Sequence, residues 1–132
     1  LASYGHAVVR SLHGKFWVME QSCSAKHERP GVVNESLDPA ELRRWCWQAV
    51  ALGADGVCIY PFRAGLGGDD NLRPGVIEWD GAPRRRYKEV LRTGGEFAKV
   101  GPELEGMAIE AKVAIVRSFD ARWSSEAQPG LA

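Results

Sequence analysis

The chain has 132 residues, which is the size of one ordinary domain or of parts of two. Hydrophobic residues make up 45% of it and charged residues 26%, a globular composition that excludes a disordered protein. Lys and Arg together number 17, as do Asp and Glu, and no basic stripe interleaved with aromatic residues occurs, so we expect no nucleic-acid partner. The apolar runs are far shorter than the ~20 residues that cross a bilayer, so we expect no membrane partner.

The first half of the chain predicts a helix, a strand and a second helix. Residues 4–13 are expected to form a short helix that ends at Gly14. Residues 15–20 (KFWVME) are an apolar run ending in a carboxylate, typical of a strand buried on both faces. After a loop over 21–37, Asp38 is a natural N-cap for a helix that Gly53 ends.

The second half repeats the alternation. Residues 56–60 (GVCIY) predict a second buried strand, and 61–83 form a long connection rich in Gly and Pro. A third helix over about 84–99 is followed by a break at Gly101-Pro102 and by a third strand over 111–116. Such alternation favours an α/β fold with a parallel sheet. So few strands would leave apolar helix faces uncovered, so we expect this chain to be a piece of a larger protein.

The three cysteines indicate neither a disulfide framework nor a metal site, and the apolar surroundings of Cys46 and Cys58 predict buried thiols at these two positions. Cys23, Cys46 and Cys58 are odd in number, and their spacing matches no zinc pattern. Because disulfides are common in oxidising compartments, their absence favours a cytoplasmic location. We expect neither a metal nor a cofactor.

Glu20 is the residue that points most directly to chemistry. Ligands of α/β proteins bind at the carboxyl ends of parallel strands, and Glu20 ends an apolar strand. A carboxylate held there on rigid backbone suits a nucleophile or a general base. The alternative from spacing alone is a strand-end residue that caps the next loop or pairs with an arginine.

Several segments in fixed order carry a family resemblance. They are residues 16–21 (FWVMEQ), 29–31 (RPG), 45–57 (WCWQAVALGADGV), 60–63 (YPFR), 75–77 (GVI) with 80–81 (DG) and 84–87 (RRRY), and 101–104 (GPEL) followed by 111–116 (AKVAIV). Over most of residues 14–123 the chain resembles glycoside hydrolase family 42, the β-galactosidases.

The resemblance implies a fold and a nucleophile. Residues 1–104 would be the C-terminal part of a (β/α)8 TIM barrel, about strands 7 and 8. Residues 105–132 would begin a flavodoxin-like α/β trimerisation domain with the strand at 111–116. Glu20 matches the family's nucleophile in retaining β-galactosidases. The family's acid/base glutamate lies in an Asn-Glu pair on an earlier strand; Asn34-Glu35 follows no apolar strand, and we interpret it as a coincidence.

The resemblance also implies substrate contacts, with departures. Asp70 and Arg73 stand where the family carries a Glu and a His that hold galactose hydroxyls, and Arg63 could bind a sugar hydroxyl or orient Glu20. The expected partners are a β-galactoside or a related oligosaccharide and, in the full-length protein, two further copies in a homotrimer. The chain alone should be inactive. Two alternatives remain: another retaining β-glycosidase of the same barrel architecture, and a non-catalytic sugar-binding or assembly protein on a decayed barrel.

Overall fold

The computed structural model describes residues 2–24, 36–68 and 73–128. In chain order, these residues form α1 (Ala2–His13), β1 (Phe16–Ser22), α2 (Glu41–Ala51), β2 (Ala54–Tyr60), α3 (Arg85–Leu104) and α4 (Phe119–Glu126). The strand–helix alternation predicted from the sequence up to α3 is therefore confirmed. No helix in the described ranges is long and apolar enough to span a membrane.

The two strands lie side by side and run parallel, as predicted. Their parallel order requires a crossover, which α2 supplies on one face of the sheet. On that face the buried side chains of Phe16, Ala49 and Ala54 form one small core, with Val18 and Val57 packed against it. One face of the sheet is thus covered by α2.

A second core joins α2 to α3 and to the chain that follows each strand. Its buried members are Cys23, Leu37, Leu42, Cys46 and Val76. Trp45 and Val90 pack against it from α2 and α3. The helical spacing of the apolar residues in α2 predicts this face, because residues three and four apart share one side of a helix.

Two predicted helix boundaries are wrong. Asp38 is not the N-cap of α2: the cap position is Ala40, in left-handed backbone at φ 67°, with no side-chain cap bond. The Glu41 carboxylate instead accepts a hydrogen bond from the Asp38 N–H at 3.2 Å, which is half of a capping box. The predicted break at Gly101-Pro102 does not occur either, since α3 continues to Leu104. Pro102 lies in the last turn, where its missing N–H costs only one hydrogen bond.

The strand predicted over 111–116 is not formed. The segment has no regular secondary structure and is exposed; Val116 is 97% accessible. A strand needs a neighbour for its backbone hydrogen bonds, and no described residue pairs with this segment. The chain then enters α4, whose N-cap Ser118 accepts a hydrogen bond from the Ala121 N–H at 3.2 Å.

Candidate active site

The face of the sheet opposite α2 is open. Trp17 and Met19 point large apolar side chains away from the core and are 61% and 68% exposed. Phe16 and Val18, which alternate with them along β1, pack on the α2 side. The sheet therefore has one helix-covered face and one uncovered face.

Glu20 is exposed, in the part of β1 where the pairing with β2 is irregular. Val18 pairs with Val57 and Gln21 with Ile59, so Met19 and Glu20 together oppose the single residue Cys58. Regular alternation would direct Glu20 to the helix-covered face with Phe16 and Val18. The extra residue breaks that alternation, and both Met19 and Glu20 are exposed. Irregularities of this kind commonly re-aim a side chain beside an active site.

The carboxyl ends of β1 and β2 lie together. Ser22 pairs with Tyr60, and beyond them the Cys23 N–H donates a hydrogen bond to the Tyr60 carbonyl oxygen at 3.0 Å. The Arg73 guanidinium carbon lies 5.8 Å from the centroid of the Tyr60 ring, within the range of a cation–π contact. Arg73 is thus brought to the end of β2, two pairs of residues beyond the irregularity at Glu20.

The connection after β2 is pinned by backbone pairing. The Val76 and Ile77 N–H groups donate to the carbonyl oxygens of Pro61 and Phe62 at 3.0 and 2.9 Å. A Cβ on Gly75 would lie 2.5 Å from the Arg63 carbonyl carbon, so only glycine allows this approach. Asp70 falls outside the described residues.

Arg63 is attached to a turn rather than to Glu20. Its Nη2 donates to the Trp79 carbonyl oxygen at 3.2 Å, and within the described ranges it shares no hydrogen bond or ion pair with Glu20. In the same turn, hydrogen bonds from the Arg84 guanidinium and the Ala82 N–H lower the pKa of Asp80 to about 2. The turn at 79–82 therefore binds both Arg63 and Arg84 through hydrogen bonds.

Sequence reasoning missed the role of Arg86. Three consecutive arginines at 84–86 give no sequence signal that separates one from the others, but Arg86 is buried. Its Nε donates to the Gly75 carbonyl oxygen at 2.7 Å, and its Nη2 pairs with Glu78 at 2.6 Å. A carboxylate eight residues before a helical arginine was the only available signal, and it is not specific. Arg86 thereby ties the connection after β2 to α3.

The sequence of this chain matches a known protein family. A sequence model of glycoside hydrolase family 42, described as beta-galactosidase, matches residues 2–100. The chain belongs to this family. The predicted resemblance is therefore confirmed, and the strand bearing Glu20 lies inside the matched range.

Individual beta-galactosidases match over nearly the whole chain. Beta-galactosidase Bga of Halorubrum lacusprofundi is 37% identical over 131 residues, which cover 94% of this chain and 17% of that protein. The crystal structure of a beta-galactosidase from Bacillus circulans sp. alkalophilus superposes with a TM-score of 0.85 at 30% identity, covering 99% of this chain and 20% of that one. A polyextremophilic beta-galactosidase from Halorubrum lacusprofundi gives 0.83 at 32% identity, covering 97% and 19%. The chain spans about a fifth of the length of these beta-galactosidases.

Proposed function

We propose that this chain is the segment of a longer retaining β-galactosidase that carries the nucleophile, Glu20. The observation that carries the proposal is the exposed Glu20 carboxylate at an irregularity near the carboxyl end of a parallel strand, in a family-42 chain. Residues 1–104 would form about strands 7 and 8 of a (β/α)8 barrel, with the open face of the sheet lining its interior.

The chemistry requires two carboxyl groups. The Glu20 carboxylate attacks the anomeric carbon, the bond to the aglycone oxygen breaks, and a glycosyl-enzyme ester forms. A second carboxylic acid, carried outside this chain, donates its proton to the leaving oxygen. It then takes a proton from the water that hydrolyses the ester. In retaining enzymes the two carboxyl groups stand about 5–5.5 Å apart. The second carboxylic acid must therefore approach the open face of the sheet, where Glu20 is proposed to act.

Three further residues are proposed to hold the sugar. Arg73, at the end of β2, can donate hydrogen bonds to hydroxyl groups but cannot accept them. Asp70 can accept them through its carboxylate. Arg63 uses one N–H on the Trp79 carbonyl oxygen and has others to offer a sugar hydroxyl. Substituting Arg73 by alanine in the longer protein should raise KM for a galactoside more than it lowers kcat; an unchanged KM would remove Arg73 from the site.

The nucleophile assignment is tested by Glu20→Gln in the longer protein. Turnover of an aryl β-galactoside should fall by several orders of magnitude, because the neutral amide cannot attack the anomeric carbon. The matched control is Glu103→Gln, an exposed glutamate near the end of α3. The control should keep the parent activity. Wild-type turnover in Glu20→Gln would end the assignment, and a panel of aryl glycosides should show the galactoside to be cleaved fastest.

The assembly proposal concerns residues 105–132 as the start of a trimerisation domain. Support comes from the solvent exposure of the chain after Leu104. Aliphatic side chains in this segment, Val113 and Ile115 among them, are exposed. Light scattering of the longer protein should give the mass of three chains. A monomer would contradict this proposal and leave the chemistry of Glu20 untouched.

A further inference from the structure

β1 and β2 pair in the same register at both ends of the sheet, but the pairs in the middle are shifted by one residue. Phe16 pairs with Ala54 and Ser22 with Tyr60, both 38 positions apart. Trp17 pairs instead with Gly56 and Val18 with Val57, both 39 positions apart. The displacement starts where β2 inserts Asp55, and it ends where β1 inserts the extra residue at Met19 and Glu20. The irregularity that exposes Glu20 therefore exists only because the middle of the strand pair is displaced.

Within the displaced section, the Trp17 indole lies directly against Gly56. A Cβ built on Gly56 would lie 2.7 Å from two ring atoms of Trp17 and 2.9 Å from a third. Carbon atoms in contact stand about 3.5–4.0 Å apart, so the indole occupies space that any other residue at position 56 would fill. Gly56 is the only glycine in β2. With a uniform separation of 38, Trp17 would pair with Asp55. Its indole would then lose the close contact with Gly56, which is the Trp17 seat.

We propose that Gly56 and Trp17 are positioning residues for Glu20, a role that rests on the proposed function of that carboxylate. The indole seated on the glycine displaces β1 by one residue. The return to register then requires the extra residue that turns Glu20 out of the helix-covered face. Without the seat, β1 can pair uniformly, and Glu20 joins Phe16 and Val18 against α2.

The test uses two variants of the longer protein that remove the seat in opposite ways. Gly56→Ala adds a methyl group where the indole lies, and Trp17→Ala removes the indole without adding a collision. For a misplaced nucleophile, kcat on a dinitrophenyl β-galactoside should fall on the order of a hundredfold, with a small change in KM. The matched control is Gly94→Ala in α3, where an added Cβ meets nothing within 4 Å. This control should keep the parent kcat.

Azide distinguishes a misplaced nucleophile from a damaged fold. Where Glu20 has left the open face, an azide nitrogen can attack the anomeric carbon from the vacated side. The bond to the aglycone breaks as dinitrophenolate departs with the electron pair, so no proton donor is needed. The product is the α-galactosyl azide. Azide should therefore raise turnover and give this product in both seat variants, as it should in Glu20→Ala.

The outcomes separate the two proposals. A normal kcat in both seat variants, or a low kcat that azide does not raise while it raises that of Glu20→Ala, would overturn the positioning role. If Glu20→Ala itself gives no azide product and keeps its turnover, the nucleophile assignment fails instead. If Gly56→Ala does not fold, Trp17→Ala alone decides, because it introduces no collision.

Discussion

The indole N–H of Trp47 in α2 donates a hydrogen bond to the Glu96 carboxylate of α3 at 2.9 Å. The same carboxylate accepts from Arg43 Nε at 2.7 Å and from Arg92 Nε at 3.2 Å. Beside it, the Trp47 and Phe97 rings meet edge to face with centroids 4.7 Å apart. One ionised glutamate thus joins α2 to α3.

This contact predicts an acid-sensitive contribution to stability. Hydrogen bonds from Arg43 and Trp47 lower the pKa of Glu96 from 4.5 to about 2. Because the pKa is depressed in the folded state, the stabilisation is present above about pH 4.5 and is lost as the pH falls towards 2. Glu96→Gln should lower the thermal unfolding midpoint clearly at about pH 6 and by much less at about pH 3. Equal differences at both pH values would contradict the prediction, and Glu103→Gln is the control on the same helix.

Gly75→Ala should destabilise the connection after β2. The added methyl group would meet the backbone of Arg63 and Ala64, which cannot rotate away as a side chain can. The expected cost is at least about 1–3 kcal/mol, measured as a lower midpoint of urea unfolding. Gly67→Ala in the same connection is the matched control, since its Cβ would meet nothing within 4 Å. A Gly75 variant as stable as the control would show that this approach is not required.

Arg86→Leu should be among the more damaging single substitutions. It leaves the Glu78 carboxylate, whose side chain is 16% exposed, without its 2.6 Å ion pair. Removing one partner of a buried pair costs about 3–5 kcal/mol, chiefly because the other charge stays buried. The double variant Arg86→Leu with Glu78→Gln should recover part of that loss in urea unfolding. No recovery would mean that the bond to the Gly75 carbonyl oxygen, rather than the ion pair, carries the contribution.

The Cys46 thiol should resist alkylation in the folded protein. Burial, reinforced by the negative charge of Glu89, raises its pKa to about 11, and the thiolate is the reactive form. Mass spectrometry after iodoacetamide treatment at about pH 8 should find Cys46 unmodified until the protein is unfolded. The half-buried Cys58 provides an internal comparison. Rapid labelling of Cys46 in folded protein would show that the α2–α3 core opens readily.

The elements that the sequence predicts correctly are those whose pattern is local. The apolar face of α2 follows from side chains three and four apart, and Leu42 and Cys46 are buried on it as expected. Two predictions are wrong, the N-cap at Asp38 and the break at Gly101-Pro102, because tertiary packing outweighs the preference of one residue. The strand at 111–116 failed because strand pairing depends on residues distant in the chain.

The sequence offers Glu20 as a candidate site residue but does not predict the strand geometry around it. Glu20 stands out in the sequence because a carboxylate ends an apolar run. The displacement between Trp17 and Gly56 could not be predicted, since it depends on how two strands fit rather than on either strand alone. The role of Arg86 could not be predicted either, because its two partners, Gly75 and Glu78, lie in a connection with no regular sequence pattern.

The open face with Trp17 and Met19 has a consequence for handling the chain. Each strand of the two-stranded sheet also has an outer edge that pairs with no other named strand in the described part of the molecule. Bare edges beside exposed apolar side chains recruit other chains by backbone pairing. Produced by itself, this polypeptide should therefore precipitate or form soluble aggregates, and its recovery should improve when it is produced as part of the longer protein proposed above.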